Sequence, residues 1–170
     1  MTAVQIRNFH PDEWPAYRGI RLRALADAPD AFGSTLAAEE ALALDTWSAR
    51  LAKSAVSGID HALVAELDGQ AVGLAWAKVD AADAHLVNLF QMWVAPEARG
   101  QGVGAALLAE AARWARARGA VALQLGVNRS NAPALHLYAR AGFVDTGVHE
   151  PMRPGSPHIE QRMRLGFAPA

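Results

Sequence analysis

A glycine-rich stretch at residues 94–105 has the residue types that bind phosphate. Glycines let a backbone approach a ligand closely because they carry no Cβ. A helix N-terminus presents unpaired N–H donors and partial positive charge, which favour phosphate, and Arg99 would add a guanidinium at the same mouth. The stretch therefore indicates a phosphate-binding loop between a strand and a helix. The alternative is a turn whose glycines serve only the strand-to-helix geometry.

Two common phosphate-binding patterns do not fit this stretch. The dinucleotide fingerprint G-x-G-x-x-G needs a third glycine where Ala105 or Leu107 stands. The P-loop pattern needs a Gly-Lys-Ser/Thr run, and none follows. What remains is R-x-x-G-x-G, filled by Arg99, Gly102 and Gly104.

A second motif follows the next predicted strand. Residues 131–143 read N-x-x-A-x-x-x-Y-x-x-x-G-F, with Asn131 as a helix N-cap and Tyr138 two turns further along the same face. At this separation the two motifs resemble those of the GNAT superfamily of acyl-CoA N-acyltransferases (GCN5-related N-acetyltransferases). The chain is similar to a small, bacterial-type, single-domain member of that superfamily.

The resemblance implies acetyl-CoA as cosubstrate, with no metal. It implies main-chain contacts to the pantetheine arm from Met92 and Val94, with Met92 as oxyanion donor, and further cosubstrate contacts from Asn131 and Tyr138. The residues that the resemblance places around the pyrophosphate are Arg99, Gly100, Gln101, Gly102, Val103, Gly104 and Ala105. Trp93 points away from Met92 and Val94 by strand alternation and is interpreted as a packing residue.

Amide formation from a thioester needs a neutral amine, a stabilised carbonyl oxygen and a protonated leaving thiolate. A tyrosine hydroxyl is a donor near neutral pH, so the resemblance makes Tyr138 the general acid. The alternative for Tyr138 is a core aromatic residue with a satisfied hydroxyl. The expected reaction moves an acetyl group to a primary amine of a small molecule or peptide, by direct attack in a ternary complex.

The general base is left open by the sequence. The strand leading to Val94 carries Asn88, Phe90 and Gln91, and none of these side chains is a competent base. The candidates are His85, Glu66, Glu160 and a water chain to bulk solvent. The acceptor site is expected between the first two helices and the loop at residues 151–157, with Phe32, Ser34, Thr35 and Glu39 as candidate residues. Glu39 and Glu40 could hold a cationic amine.

Periodicity and turn residues predict the order β-α-α-β-β-β-α-β-α-β-β. The expected fold class is α/β (α+β): a mixed, mostly antiparallel sheet of six to seven strands with a splayed central parallel pair, flanked by about four helices. Residues 1–170 are expected to form a single domain. The predicted strands lie near residues 4–6, 61–67, 70–79, 86–94, 121–127, 143 onward and 158–165, and the predicted helices near residues 12–28, 35–51, 104–118 and 131–142.

Composition excludes several classes of function. The formal net charge of −1 makes nucleic acid an unexpected partner, and the absence of cysteine excludes a thiolate metal site or a cysteine nucleophile within these residues. The histidines show no metal-ligand spacing. No stretch reaches the ~18 apolar residues of a membrane span, and residues 1–10 do not resemble a signal peptide, so a cytoplasmic protein is expected.

Two further expectations concern assembly and activity. The family tendency and the five tryptophans favour a homodimer. The alternative to an enzyme is a catalytically silent acyl-CoA-binding or interaction module on the same fold, because a fold alone does not establish a function. A nucleotide-binding regulator is disfavoured by the two phosphate-loop patterns that fail.

Overall fold

A seven-stranded mixed sheet organises the computed structural model, which describes residues 3–168. Residues 1–2 and 169–170, the ends of the predicted domain, lie outside the described residues. The strand order is β1-β2-β3-β4-β5-β7-β6, and every neighbouring pair is antiparallel except β4 and β5. This confirms the predicted sheet. The strands are β1 (Val4–Asn8), β2 (Asp60–Leu67), β3 (Gln70–Val79), β4 (Leu86–Val94), β5 (Ala122–Asn128), β6 (Val144–Pro151) and β7 (Ile159–Gly166).

Five α-helices flank the sheet in the described part of the chain, where the sequence predicts about four. The segment predicted as one helix near residues 35–51 forms two, separated by residues 41–43. Neither glycine nor proline marks this break, so no local signal predicts it. The helices are α1 (Trp14–Asp27), α2 (Leu36–Glu40), α3 (Leu44–Ser57), α4 (Val103–Ala117) and α5 (Ala132–Arg140), with 3-10 turns at Pro11–Glu13 and Pro96–Ala98.

The helices lie on both faces of the sheet. On β3, a Cβ built at Gly73 would lie 3.0 Å from Val103 and 3.1 Å from Leu107, both on α4. The Trp76 ring lies 5.6 Å from the ring of Tyr17, which belongs to α1. Because side chains alternate along a strand, residues three apart point to opposite faces. Helix α4 therefore covers one face and α1 the other.

The tryptophans all contribute to the core of one chain. Trp47, Trp76 and Trp93 are buried, and Trp14 and Trp114 pack against the core. The indole N–H of Trp93 donates to Asp27 at 3.0 Å, as a packing residue with a satisfied polar atom does. The tryptophan count therefore gives no support to a homodimer, which stays a prediction based on the resemblance.

The parallel strands β4 and β5 separate part-way along their length. Their pairing runs from Leu86 opposite Ala122 to Leu89 opposite Leu125. Beyond this point β4 has a bulge, because two of its residues, Gln91 and Met92, stand opposite the single Ala75 of β3. Gln91 has a φ of +58°, which is uncommon for a residue other than glycine. The bulge and the separation leave a gap between the C-terminal halves of β4 and β5.

Candidate active site

A cavity of about 260 Å³ occupies the gap between β4 and β5. It gathers residues from both strands, from α5, from β7 and from the two loops at residues 28–35 and 152–158. Three of the residues predicted to contact CoA or to act as general acid line it, namely Met92, Asn131 and Tyr138, and so do the acceptor-site candidate Phe32 and the base candidate Glu160. Other lining residues used below are Gln91, Gly126, Asn128 and Met152.

Tyr138 presents a free hydroxyl to this cavity. The residue is 6% exposed, and its ring packs edge-on against Phe143 at 5.9 Å. Its hydroxyl makes no hydrogen bond with any residue between 3 and 168. Burial raises the pKa of Tyr138 well above its usual value. The phenol therefore stays protonated at neutral pH and has a proton to donate into the cavity.

Hydrogen bonds at the ends of β5 and α5 hold the walls of the cavity. Asn131 is the N-cap of α5, as predicted, and its Oδ1 accepts from the Ala134 N–H at 3.2 Å. The buried Asn128 donates its amide N–H to the carbonyl of Asp30 at 3.0 Å. Arg153 donates to the carbonyl of Phe32 at 2.9 Å. These bonds hold the loops at residues 28–35 and 152–158 beside the cavity.

The glycine-rich loop has the backbone conformation that only glycine adopts easily. Gly100 and Gly102 have φ values of +78° and +83°, and no atom lies within 4 Å of a Cβ built at either position. Helix α4 begins at Val103, so the N–H groups of its first turn have no partner within the helix. Val103 is buried and anchors this turn, whereas Ala105 is exposed. The loop therefore presents open backbone donors to solvent.

Gly104 lets the start of α4 approach the cavity wall. A Cβ built there would lie 2.9 Å from Leu137 Cδ2 and 3.6 Å from Met92 Cε. The first is shorter than real Cβ contacts, so a larger residue at position 104 would require the end of the Leu137 side chain to move. Gln101, on the outer side of the loop, donates its side-chain N–H to the carbonyl of Glu97 at 3.2 Å.

Arg99 links the loop to β4 and α1. Its Nε donates to the carbonyl of Val94 at 3.0 Å, and its Nη2 donates to Asp27 Oδ2 at 2.7 Å. Hydrogen bonds from Trp93 and Arg99 lower the pKa of Asp27. Two of the donor nitrogens of Arg99 are thus engaged within the chain, and a contact with phosphate from this side chain stays a prediction.

The three candidate bases lie in different places. Glu66 on β2 accepts from Arg7 Nε at 2.8 Å and does not line the cavity. His85 is exposed and directly precedes β4, at the opposite end of that strand from the bulge. Glu160 on β7 lines the cavity. Of the three candidate bases, only Glu160 lines the same cavity as Tyr138.

The Glu160 carboxylate is partly desolvated and lacks a hydrogen-bond donor among residues 3–168. Burial, together with the charge of Glu150, raises the pKa of Glu160, and Arg162 opposes this rise only in part. A carboxylate with a raised pKa holds a proton more readily than an exposed one, which suits it to accept a proton from an amine.

Gly126 of β5 makes room for the Glu160 side chain. A Cβ built on Gly126 would lie 2.8 Å from Glu160 Cγ and even closer to its carboxylate. Gly126 belongs to neither of the two sequence motifs. The available signal is a glycine inside a predicted strand, which often marks a close approach of another group.

A second cavity, of about 380 Å³, lies beside the first on the side of α1, α2 and α3. Gln91 lines both cavities, and Ser34 and Glu39 line only the second, whereas Thr35 caps α2 by accepting from the Ala38 N–H at 3.2 Å. The remaining lining residues are Arg21, Ala38, Leu42 and Arg50.

Glu39 is not available to hold a cationic amine, so that interpretation of the sequence is wrong. It accepts from Arg21 Nη2 at 2.8 Å and from Arg50 Nη1 at 3.1 Å. Burial would raise the pKa of Glu39, but these guanidinium groups hold it below its usual value. The carboxylate is thus neutralised from within the chain, by residues that lie far from it in sequence.

Residues 3–168 contain neither a membrane-spanning helix nor a cluster of metal ligands. No helix there combines the length and the apolar character needed to span a membrane. No three or more histidine, aspartate or glutamate side chains there form a group that could hold a metal ion.

Comparisons with known proteins agree with this geometry. The model of the acetyltransferase (GNAT) family matches residues 9–143. The chain is 33% identical over 168 residues to a mycothiol acetyltransferase from Cellulomonas flavigena, covering 91% of this chain and 45% of that protein. It is 39% identical over 89 residues to a streptothricin acetyltransferase from Streptomyces lavendulae, covering 52% and 47% respectively. The chain thus spans about half the length of these curated relatives.

A solved structure shows the same architecture. The acetyltransferase of the GNAT family from Streptococcus pneumoniae superposes with a TM-score of 0.82 at 25% identity, covering 98% of this chain and all of that one. The family match extends over most of the residues that build the sheet, the glycine-rich loop and α5. With its parallel strands parted beside that loop, this chain belongs to the GNAT family of acetyltransferases.

Proposed function

We propose that the protein transfers an acetyl group from acetyl-CoA to a primary amine of a small molecule or peptide. One observation carries the proposal: the Tyr138 hydroxyl and the Glu160 carboxylate face the same cavity, beside the end of β4 that has no partner on β5. A proton donor and a proton acceptor are both needed to form an amide from a thioester. The relatives named after mycothiol and streptothricin support a small-molecule acceptor.

The chain offers a fitting site for the CoA cosubstrate. The open N–H groups around Gly100, Gly102 and the first turn of α4 suit a pyrophosphate. The part of β4 that has no partner on β5 contains Met92 and Val94, and its main-chain groups on that side suit the amides of a pantetheine arm, with the Val94 carbonyl already accepting one bond from Arg99. Asn131 lines the same cavity as Met92.

In the proposed reaction, the neutral amine nitrogen attacks the thioester carbonyl carbon in a ternary complex. The Met92 main-chain N–H stabilises the carbonyl oxygen as negative charge develops. Glu160 takes one proton from the amine, directly or through a water molecule. The carbon–sulfur bond breaks, and Tyr138 gives its proton to the departing thiolate. The products are an N-acetyl amide and free CoA thiol, and the two residues recover their protonation states through solvent.

A thiol-release screen tests the proposed function. The intact chain would be incubated with acetyl-CoA and a panel of polyamines, amino acids, aminoglycosides and peptides with free N-termini. Release of free thiol that depends on an amine, with a matching N-acetyl product by mass spectrometry, is the expected result. CoA binding by calorimetry without thiol release on any amine would instead indicate a silent acyl-CoA-binding module.

Gly102→Val should weaken CoA binding by about tenfold or more, which corresponds to ~1.4 kcal/mol. A β-branched residue is strained at a φ of +83°, so the loop would leave the conformation that presents its N–H groups. Titration calorimetry with CoA measures the effect. Gly119→Val is the matched control, because Gly119 has a φ of +81°, equally open space and a position past the other end of α4. Unchanged CoA affinity in folded Gly102→Val, or an equal loss in both variants, would contradict the loop assignment.

A further inference from the structure

The second cavity carries a cationic cluster that the acetyl-transfer step does not use. Arg21 and Arg50 contribute two positive charges, and Glu39 contributes one negative charge. The Arg21 side chain is 5% exposed and that of Glu39 is 7% exposed, so this charge lies largely away from water. Excess charge of one sign in a buried place is costly unless a group of opposite sign joins it.

The cluster also has hydrogen-bonding capacity to spare. Nη1 of Arg21 is buried and donates to no acceptor among residues 3–168, and an unsatisfied buried donor costs free energy. Arg50 uses only Nη1, toward Glu39 at 3.1 Å and the Tyr17 hydroxyl at 3.5 Å. Its Nε and Nη2 donate to no group in the described part of the chain. The Arg50 side chain is 29% exposed, so an incoming molecule can reach it.

Gln91 connects this cluster with the acetyl-transfer cavity. It lines both cavities, and its Oε1 accepts from the Tyr17 hydroxyl at 2.7 Å. The strained φ of +58° at Gln91 belongs to the β4 bulge, so the bulge that opens the first cavity also turns this side chain toward the second. A molecule that lies across Gln91 would have one end at Arg50 and the other near Glu160 and Tyr138.

We propose that the acceptor is an amino acid, whose carboxylate binds Arg50 and Arg21 while its amine lies in the acetyl-transfer cavity. This inference rests on the proposed function and names the acceptor class for it. A carboxylate carries the single negative charge that balances the cluster. It is also planar, and it accepts two parallel N–H bonds from a guanidinium. A cationic acceptor without a carboxylate would meet repulsion at the same place.

Matched pairs of amines test the carboxylate. Each of a set of α-, β- and γ-amino acids would be compared with its own primary amide by initial-rate thiol release from acetyl-CoA. The amide keeps the amino group and the carbon chain and replaces the carboxylate with an uncharged group, so rates are compared at equal concentrations of neutral amine. We expect kcat/KM to favour the acid over its amide by about 10- to 100-fold at one spacing of amine and carboxylate, the effect of one charge-assisted contact. Equal values for acids and amides at every spacing would overturn the inference and leave the proposed function intact.

Arg50→Gln tests the residue assignment. It should raise KM for the preferred amino acid about 10- to 100-fold and leave KM for the corresponding amide unchanged. The preference for the acid over its amide should therefore disappear. Arg18→Gln is the matched control: Arg18 also lies over the Trp47 ring, at 5.9 Å against 4.8 Å for Arg50, but it does not line the cavity. A preference for the acid that survives in Arg50→Gln would overturn the assignment. Arg50 is used because it is less buried than Arg21, and thermal unfolding would confirm that both variants fold.

A binding measurement separates failure of the subsite from failure of the proposed function. N-acetyl amino acids and their amides would be titrated calorimetrically into the wild-type protein saturated with CoA, which requires no turnover. Acid-selective binding that Arg50→Gln abolishes would support the subsite even if no amine released thiol, and the proposed function alone would then fail. Turnover of amines with no selectivity for acids in rates or binding would reject only the subsite. If no amine is acetylated and no N-acetyl amino acid binds selectively, both the carboxylate subsite and the proposed function are rejected.

Discussion

Tyr138→Phe should lower the rate of acetyl transfer by about 10- to 1000-fold, the range for loss of one general acid. The substitution keeps the ring that packs against Phe143 and removes a hydroxyl that bonds no described residue. Thermal stability and CoA affinity should therefore change little. Initial-rate thiol release with the acceptor found by the screen measures the effect, with CoA affinity by calorimetry alongside.

Two outcomes would contradict this role. Undiminished turnover in Tyr138→Phe would show that Tyr138 is a core aromatic residue and not the general acid. Loss of CoA binding together with activity would make Tyr138 a cosubstrate contact instead. The pH profile gives an independent check, because burial raises the pKa of Tyr138. Wild-type kcat/KM should show no alkaline decline due to this residue below about pH 10, the usual tyrosine value.

Glu160→Gln should lower kcat/KM at neutral pH by about 10²- to 10⁴-fold, the contribution of a positioned general base. The amide has nearly the shape of the carboxylate but cannot accept the proton. Because the pKa of Glu160 is raised, wild-type kcat/KM should fall as the pH drops through that raised value. In the pH profile of the Glu160→Gln variant, the fall in kcat/KM caused by protonation of Glu160 should be absent. Only the fall caused by protonation of the amine substrate should remain. Undiminished activity in Glu160→Gln would favour a water chain as the route for the proton.

Although Glu160→Gln should lower activity, it should not lower the stability of the fold. A carboxyl group whose pKa is higher in the folded than in the unfolded protein stabilises the fold at low pH, and this contribution is lost as the pH rises through the raised value. At neutral pH the ionised Glu160 therefore destabilises the folded protein. Glu160→Gln should leave the free energy of unfolding at neutral pH unchanged or higher, as urea denaturation would show, so a loss of activity could not be ascribed to unfolding.

Two companion variants sharpen the Glu160 experiment. Gly126→Ala should displace the Glu160 side chain without removing its charge, and should therefore lower kcat/KM in the same direction. Glu150→Gln is the matched control, because Glu150 pairs with Arg162 and does not line the cavity. It should retain activity at neutral pH and shift the acidic limb to lower pH, since the charge of Glu150 helps to raise the pKa of Glu160.

The sequence by itself determined the seven strands, the loop containing Gly102 and the N-cap at Asn131. These features depend on interactions between residues close in the chain: strand alternation, glycine at positive φ, and a side chain that caps its own helix. Such local signals can be recognised in the sequence even when the fold is unknown. The parting of β4 and β5 was implied by the family resemblance, and the bulge at Gln91 was not predicted, because a bulge depends on the register with the neighbouring strand.

Only the tertiary structure decided which charged residues face the cavities. From the sequence, Glu66, His85 and Glu160 were equal candidates; the fold pairs Glu66 with Arg7, leaves His85 at the far end of β4 and brings Glu160 across Gly126. Likewise Glu39 is neutralised by Arg21 and Arg50, from two other helices. Burial and charge pairing set the chemistry of a carboxylate, and both depend on residues far away along the chain.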